Sequence, residues 1–421
     1  MRILVEPSDY LLHNLGDIAM LRAAVSRLAA YFPNAAIQVL SDDPDALRGF
    51  CPEATPLETT GRQQWLDNDF LPERLRRRAP KLSVQLQPWL RNHAPQLVEI
   101  FWRRKLRVRR RLADLQALNT FTEAVSNADL VIVTGMGGVT DAFPEYAADL
   151  LETLGLAVGR RKYVAMVGQG FGPLQNPELV ARARSILPRV NFIGLREERA
   201  SRPLLQSLGV APERMMTTGD DAIELAYQLR GERLGEYLGV NLRASNYAGV
   251  DQNLFEPLRQ ALQNAAKTVR ASLLPVPISL LPGEADAETI RRLMPDGVGQ
   301  SQDGLPIDRP EAVIRQIQRC RLVVTGSYHA GVFALASGIP TVGLAKSAYY
   351  VDKFLGLSSL FGEGCQTVLL DDQDFQTKLE SSITDLWARA ERVRPYLLAE
   401  AESQIRLGHK AYERLRTESF A

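Results

Sequence analysis

A histidine stands in the segment Thr325-Gly326-Ser327-Tyr328-His329-Ala330-Gly331, between an apolar run at 322–325 and small residues closed by Gly338 and Pro340. Strand, tight turn and helix is the reading of that order, which puts Ser327, Tyr328 and His329 at a helix N-terminus. Free N–H groups and the helix dipole there favour phosphate or carboxylate. An imidazole beside them titrates near neutrality and suits general acid–base work. Three further loops carry glycine and small polar residues. Asn14-Leu15-Gly16-Asp17 opens a helix, with Gly16 for a tight turn and Asp17 able to cap free N–H groups. Gly135-Met136-Gly137-Gly138 follows an apolar run, and its glycines allow backbone to approach a ligand closely. Gly168-Gln169-Gly170-Phe171-Gly172-Pro173 places Gln169 where a sugar hydroxyl could be read. Arg196 and Arg243 each end an apolar run, where a guanidinium grips an anion with two prongs. Lys346 and Lys353 follow the run at 341–344 and add charge.

The elements that must hold these groups follow from apolar periodicity. Short apolar runs at 2–5, 37–40, 130–134, 163–167 and 192–195 alternate with stretches of helical period, the pattern of βαβ units and a parallel sheet. Ile18, Leu21, Val25, Leu28 and Phe32 recur at helical spacing and predict one buried helix face. A second series of strands is expected at 239–242, 272–277, 322–325 and 341–344. The polar stretch 228–237 is the candidate linker, giving a first domain over 1–230 and a second over 238–421. Helical period continues from Phe375 to about Thr417, and Pro395 predicts a break into two helices there. The expected class is α/β, with two Rossmann-like domains facing across a cleft, parallel sheets and a helical C-terminal tail.

Composition narrows the field. A chain of 421 residues exceeds one ordinary core, and 45% hydrophobic with 24% charged residues is a globular balance. The three cysteines lie far apart without CxxC spacing, which argues against a disulfide framework and a thiolate zinc site. No cluster of His, Cys, Asp and Glu has metal spacing, and no GxSxG elbow occurs. The N-terminus lacks the pattern of a secretory signal and no apolar window is long enough to span a bilayer, so a cytoplasmic location is expected. A net charge of +1 names no partner, but residues 71–111, within an insertion over about 60–120, hold 13 Lys/Arg against two acids. Trp89, Leu90, Leu97, Ile100, Phe101 and Trp102 are interleaved. Two readings stand: a solvated helical insertion whose aromatics pack on the domain, or a face that rests on an anionic membrane surface. No recognised nucleic-acid-binding motif accompanies it, and nucleic acid is not an expected partner.

The loops, in their order, resemble the polysaccharide pyruvyl transferase family over nearly the whole chain. Asn14-Leu15-Gly16-Asp17 is similar to the family's opening Asn-x-Gly-Asp, and 128–135 with its glycine tail to its second block. Gly168-Gln169-Gly170-Phe171-Gly172-Pro173 resembles Gly-Gln-Gly-x-Gly-Pro; Leu195-Arg196-Glu197, Leu208-Gly209-Val210 and Gly219-Asp220-Asp221-Ala222 match the blocks after it. The last block departs from the pattern. Where the family usually reads Arg-Leu-His-Gly, this chain has Ser327-Tyr328-His329-Ala330. The resemblance implies a fold like that of two-domain glycosyltransferases (GT-B), a site between the domains, and phosphoenolpyruvate as co-substrate without metal or organic cofactor. It implies His329 as acid/base and Arg196 and Arg243 as anion holders, with Lys346, Lys353 or Arg243 replacing the charge missing at Ser327. The acceptor would be a sugar or a polysaccharide precursor. Two other readings remain open: a glycosyltransferase of the same architecture using a nucleotide-sugar donor, and a non-catalytic binding protein on a degenerate transferase fold.

Overall fold

The structure, a computed structural model, describes residues 1–67, 71, 77–79, 86, 87, 89–91, 94–283, 285–294 and 306–419. From the basic stretch, Glu73, Arg74, Arg76 and Lys81 lie outside the described residues, as does His93.

The first sheet contains β1 (Arg2–Glu6), β2 (Ala36–Leu40), β3 (Ala54–Leu57), β4 (Leu130–Val133), β5 (Met136–Val139), β6 (Tyr163–Phe171), β7 (Phe192–Leu195) and β8 (Met215–Thr217). Its order is β3-β2-β1-β4-β6-β7-β8, with β5 also pairing β6, and every pair is parallel. The helices that cross over it are α1 (Leu15–Tyr31), α2 (Pro44–Phe50), α3 (Thr60–Leu66), α4 (Pro95–Val108), α5 (Leu112–Asn127), α6 (Pro144–Gly159), α7 (Pro177–Ile186), α8 (Ser201–Ser207) and α9 (Ala222–Gln228). The second sheet contains β9 (Tyr237–Asn241), β10 (Leu273–Pro275), β11 (Cys320–Thr325), β12 (Thr341–Ala345) and β13 (Cys365–Leu369). It is also parallel, in the order β10-β9-β11-β12-β13. Its helices are α10 (Phe255–Val269), α11 (Asp286–Leu293), α12 (Pro310–Ile317), α13 (Tyr328–Ala336), α14 (Ala348–Phe361) and α15 (Phe375–Glu418).

Strand β4, Leu-Val-Ile-Val, is buried at all four positions, as a strand covered by helices on both faces requires. One apolar cluster joins the two sheets: Ile3, Val5 and α1 on one side, Val323, α13 and α14 on the other, with Val393, Leu397 and Tyr412 of α15. Separate clusters fill the outer face of each sheet. Backbone also bridges the halves, since Leu15 donates to the Ile278 carbonyl at 3.0 Å and Leu280 to that of His13 at 2.8 Å.

Three sequence expectations change. β3, β5, β8 and β13 were not expected, because none carries the continuous apolar run that marks β4 or β7, and β5 lies within the glycine segment taken for a loop. Pro395 does not break the tail, because α15 runs 44 residues without interruption. A proline in a helix costs about 3 kcal/mol; here Val393 and Leu397 are buried on either side of it, and Arg394 donates at 2.8 Å to the Ser337 carbonyl. The contacts of both segments with the same core outweigh the lost hydrogen bond. α15 thus begins on the second sheet, through Leu379, Ile383 and Leu386, and ends on the first, where the Tyr163 hydroxyl donates to Glu418 at 2.7 Å.

Arg27 ties the layers together. Its guanidinium lies 2.6 Å from Asp221 and 2.7 Å from Glu224 on α9, and 5.5 Å from the Tyr412 ring of α15. Removing it leaves buried carboxylates without a counter-charge. Arg27→Ala is expected to cost about 3–5 kcal/mol, read as a lower midpoint in urea denaturation; a change below about 1 kcal/mol would show the ion pairs to be incidental.

Candidate active site

Strand order reverses direction twice, between β1 and β4 in the first sheet and between β9 and β11 in the second. Adjacent loops diverge at such points and leave a crevice at the carboxyl ends of the strands. The two crevices face each other. Ser8, Asn14 and Asp17 follow β1, and Met136, Gly137 and Gly138 follow β4. Arg243 follows β9, and Ser327, Tyr328 and His329 follow β11. Together with Arg196, Tyr247 and Lys353 they line a cavity of about 270 Å³. It shares Asn14, Asp17, Phe143, Arg243, Tyr247 and Tyr349 with a wider groove of about 830 Å³.

Local structure sets each side chain. The β1–α1 loop is pinned by Asp9, whose carboxylate accepts from the backbone of His13 at 2.6 Å and of Asn14 at 3.1 Å. Asn14 then caps α1, accepting from the N–H of Gly16 and of Asp17 at 2.9 and 3.3 Å. Gly16 is required by closeness, because a Cβ there would lie 2.0 Å from His329 Cγ across the two halves. Gly137 similarly leaves room for Arg196, whose Nη2 would be 2.6 Å from an added Cβ. Arg196 stacks over the Tyr328 ring at 4.3 Å and lies 3.8 Å from Asp220. Arg243 is held by the Tyr247 hydroxyl at 2.7 and 3.0 Å and by Asp286 at 3.3 Å. Lys353 is 3.9 Å from the Tyr349 ring centroid.

Ten of the residues singled out in the sequence therefore line one cavity: Asn14, Asp17, Gly137, Gly138, Arg196, Arg243, Ser327, Tyr328, His329 and Lys353. Four do not. Gly16 packs behind His329, and Gly135 packs against Met20. Lys346 turns outward to Asp251 at 3.0 Å. Gln169 does not line the cavity, because β6 continues through it and buries it. Its amide donates to the carbonyls of Thr134 at 2.6 Å and Val167 at 2.9 Å, satisfying backbone where the ladder shifts register.

Burial and the neighbouring cations together set the proton affinities. Burial, then Arg196, Lys353 and Arg243, hold His329 well below the usual imidazole range, so the ring is neutral at pH 7. Burial and Arg196 likewise lower Lys353 well below an ordinary lysine. Asp17 is pushed up to about 7 by burial and by Asp9, and Asp220 to about 6 by burial. His329 Nε2 stands 3.9 Å from Asp220 Oδ2, and both atoms, with the Tyr328 hydroxyl, are buried without a hydrogen-bond partner among the described residues. Such groups cost stability unless something polar meets them. Asp220 was not singled out as a site residue, nor were Tyr247, Tyr349 and Tyr350. The signal for Asp220 was present in the Gly219-Asp220-Asp221-Ala222 block; the tyrosines carry none, since an aromatic in a helix reads as core.

Among the described residues no group of three or more His, Cys, Asp or Glu could hold a metal ion, and no helix is long and apolar enough to cross a membrane.

Two parallel sheets joined by a crevice at facing switch points define the GT-B architecture, and solved structures share it. UDP-GlcNAc 2-epimerase from Neisseria meningitidis, bound to UDP-GlcNAc, aligns over 99% of this chain and 99% of its own, with TM-score 0.55 and 11% identity. Arabidopsis thaliana UGT89C1 complexed with quercetin covers 100% of this chain and 99% of its own, at 0.54 and 11%. Anabaena Alr3699/HepE in complex with UDP and glucose covers 99% and 100%, at 0.52 and 14%. At these identities the likeness concerns the fold alone. The model of the family described as polysaccharide pyruvyl transferase matches residues 14–347, and the chain belongs to that family of transferases. No curated protein matches it in sequence.

The raised affinity of Asp17 has a consequence for stability. An acid whose folded value exceeds its unfolded one favours the fold while protonated. That contribution is complete below about pH 4 and is lost as pH rises through about 7. Asp17→Asn is thus expected to raise the melting temperature at pH 8 by roughly 2 °C or more and to leave it unchanged at pH 4. Equal shifts at both pH values in differential scanning calorimetry would contradict the burial of an ionised Asp17.

Proposed function

We propose that the protein transfers a pyruvyl group from phosphoenolpyruvate to a sugar of a cell-surface polysaccharide or its lipid-linked precursor, forming a ketal. The observation that carries this reading is the convergence of Arg196, Arg243, Lys353 and His329 on an inner cavity of about 270 Å³. Lined by three basic side chains, with Asp17 the one carboxyl among the described lining residues, that space suits a small polyanionic donor such as a phosphorylated three-carbon acid. The adjoining groove of about 830 Å³ has the size for a sugar acceptor.

In this scheme Arg196, Arg243 and Lys353 hold the phosphate and carboxylate of the donor, supplying the charge that Ser327 does not. The donor carbon C3 takes a proton and becomes methyl, which makes C2 electrophilic. Asp17, half protonated near neutrality, is the acid lining the cavity. A sugar hydroxyl adds to C2 and gives its proton to the neutral His329. Phosphate leaves, a second hydroxyl closes the ketal, and its proton goes out with the phosphate. Phosphoenolpyruvate is a co-substrate, and no further cofactor enters.

Calorimetric titration with phosphoenolpyruvate, then with UDP- and GDP-sugars, tests the donor. Saturable phosphoenolpyruvate binding is expected, weakened by roughly ten- to hundredfold in Arg243→Ala through loss of a charged hydrogen-bonding partner. His329→Ala is expected to bind the donor yet to lose about 10²–10⁴ in phosphate release with a sugar acceptor. Full turnover by that variant would remove the role given to His329. Binding only of a nucleotide sugar would make the protein a glycosyltransferase, and binding of neither would leave a non-catalytic protein on this fold.

A further inference from the structure

Helix α4 carries two apolar faces where a domain helix needs one. Val98, Trp102 and Leu106 point inward and are buried, with the Trp102 indole donating to the Gln64 carbonyl of α3 at 2.6 Å. The opposite face shows Leu97 at 53% exposure, Ile100 at 61%, Phe101 at 60% and Val108 at 75%. Spacings of three, four and seven place these side chains in one stripe along a helix about 21 Å long.

The charges are arranged around that stripe. Residues 103–111 contain seven Lys/Arg and no acid. Arg104 and Arg107 are exposed beside the apolar side chains. The single acid of α4, Glu99, faces inward, where it pairs with Arg103 and with Arg160 at the C-terminal end of α6. Asp114, at the start of α5, is engaged by Arg111 at 2.6 Å. The outer face of α4 therefore combines four exposed apolar side chains with Arg104 among them, long enough to carry its charge clear of them, Arg107 at their edge, and no exposed carboxylate.

We infer that this face docks on the surface of an anionic lipid bilayer, with Leu97, Ile100, Phe101 and Val108 in the acyl boundary and Arg104 and Arg107 among the headgroups. Apolar burial and attraction to anionic lipid act together there, and each basic side chain near the surface adds to binding. A second copy of the chain is a poor occupant, because it would bring Arg104 and Arg107 of each copy together in a low-dielectric contact with no acid on the face to meet them. A nucleic acid would meet Leu, Ile, Phe and Val where its phosphates require donors. The inference goes beyond the transferase reading and is independent of which donor the cavity takes.

Co-sedimentation of the full chain with vesicles of phosphatidylcholine, with and without phosphatidylglycerol, tests it. The protein is expected to pellet with the vesicles containing phosphatidylglycerol, and less so as salt is raised. Two double variants separate the contributions. Ile100→Ser with Phe101→Ser, and Arg104→Glu with Arg107→Glu, are each expected to lower the partition coefficient about tenfold or more, with melting temperature and donor binding unchanged. Three results would overturn the inference: no pelleting with anionic vesicles at low salt, binding unaffected by the Ile100/Phe101 pair, or concentration-dependent dimerisation lost in that pair without any vesicle binding. If both variants instead lowered the melting temperature, fluorescence of a dansyl-lipid vesicle acceptor excited through the wild-type tryptophans would decide, absence of transfer at low salt overturning it.

Discussion

Nine consecutive buried residues, Tyr328–Ala336, leave α13 no face to give to water. A helix that is apolar all round must be covered on every side, and one sheet with its own helices does not suffice. α13 packs on β11 and β12 of its own sheet, on α12 and α14 beside it, and on α9 of the other half with α15 across the seam. The requirement to enclose this short helix draws the two halves onto one core. The same enclosure carries its N-terminus to the first turn of α1, so that His329 lies where Gly16 leaves no Cβ. The approach of the two switch-point crevices is thus a consequence of burying α13, and that apolar helix brings a histidine to the site in its first turn.

Enclosure also sets the electrostatics. Taking Arg196, Arg243 and Lys353 out of water beside one another is unfavourable, and the fold offsets it only in part. Asp286 holds Arg243, Asp220 stands at the long distance of 3.8 Å from Arg196, and tyrosine rings rather than carboxylates surround Lys353. Burial first, and then the remaining positive field, lowers His329 and Lys353. A cavity built this way is preorganised for an anion. Its stability deficit in the free protein is the counterpart of its affinity, as functional sites commonly show.

Much of this was legible in the sequence, and the exceptions have physical causes. The alternation of apolar runs and helical stretches names two parallel sheets because parallel strands are buried on both faces and need no alternating pattern. Asn14, Asp17, Gly137, Arg196, Arg243 and His329 could be placed at strand ends, and the switch points then gather them. β3, β5 and β13 read Ala-Thr-Pro-Leu, Met-Gly-Gly-Val and Cys-Gln-Thr-Val-Leu, where proline, glycine or polar residues break the apolar run that marks β4 and β7, and β8 has only three residues. Gln169 was misplaced because a glycine on either side signals a loop, whereas here the glycines permit a register shift inside β6. Pro395 misled for the opposite reason: local chemistry says break, and tertiary contacts on both sides overrule it. Asp220 and the tyrosines of α14 gain meaning only from what stands opposite them, which no spacing along one chain expresses.

The departure at Ser327 can now be weighed in the same terms. Its side chain lines the cavity that Arg196, Arg243 and Lys353 already share. A further permanent cation in about 270 Å³ would sit within a few ångströms of Arg196 and Arg243, and at an effective dielectric near 20 each such contact costs about 4 kcal/mol. Among the described residues no carboxylate lines that cavity besides Asp17, which is itself near half protonation at neutral pH. An arginine at 327 is therefore compatible with a neighbourhood in which one of the other cations is absent or paired, and a serine with the neighbourhood this chain has. Serine at 327 thus spares the cavity a further like charge, and the positive charge of the site rests on Arg196, Arg243 and Lys353.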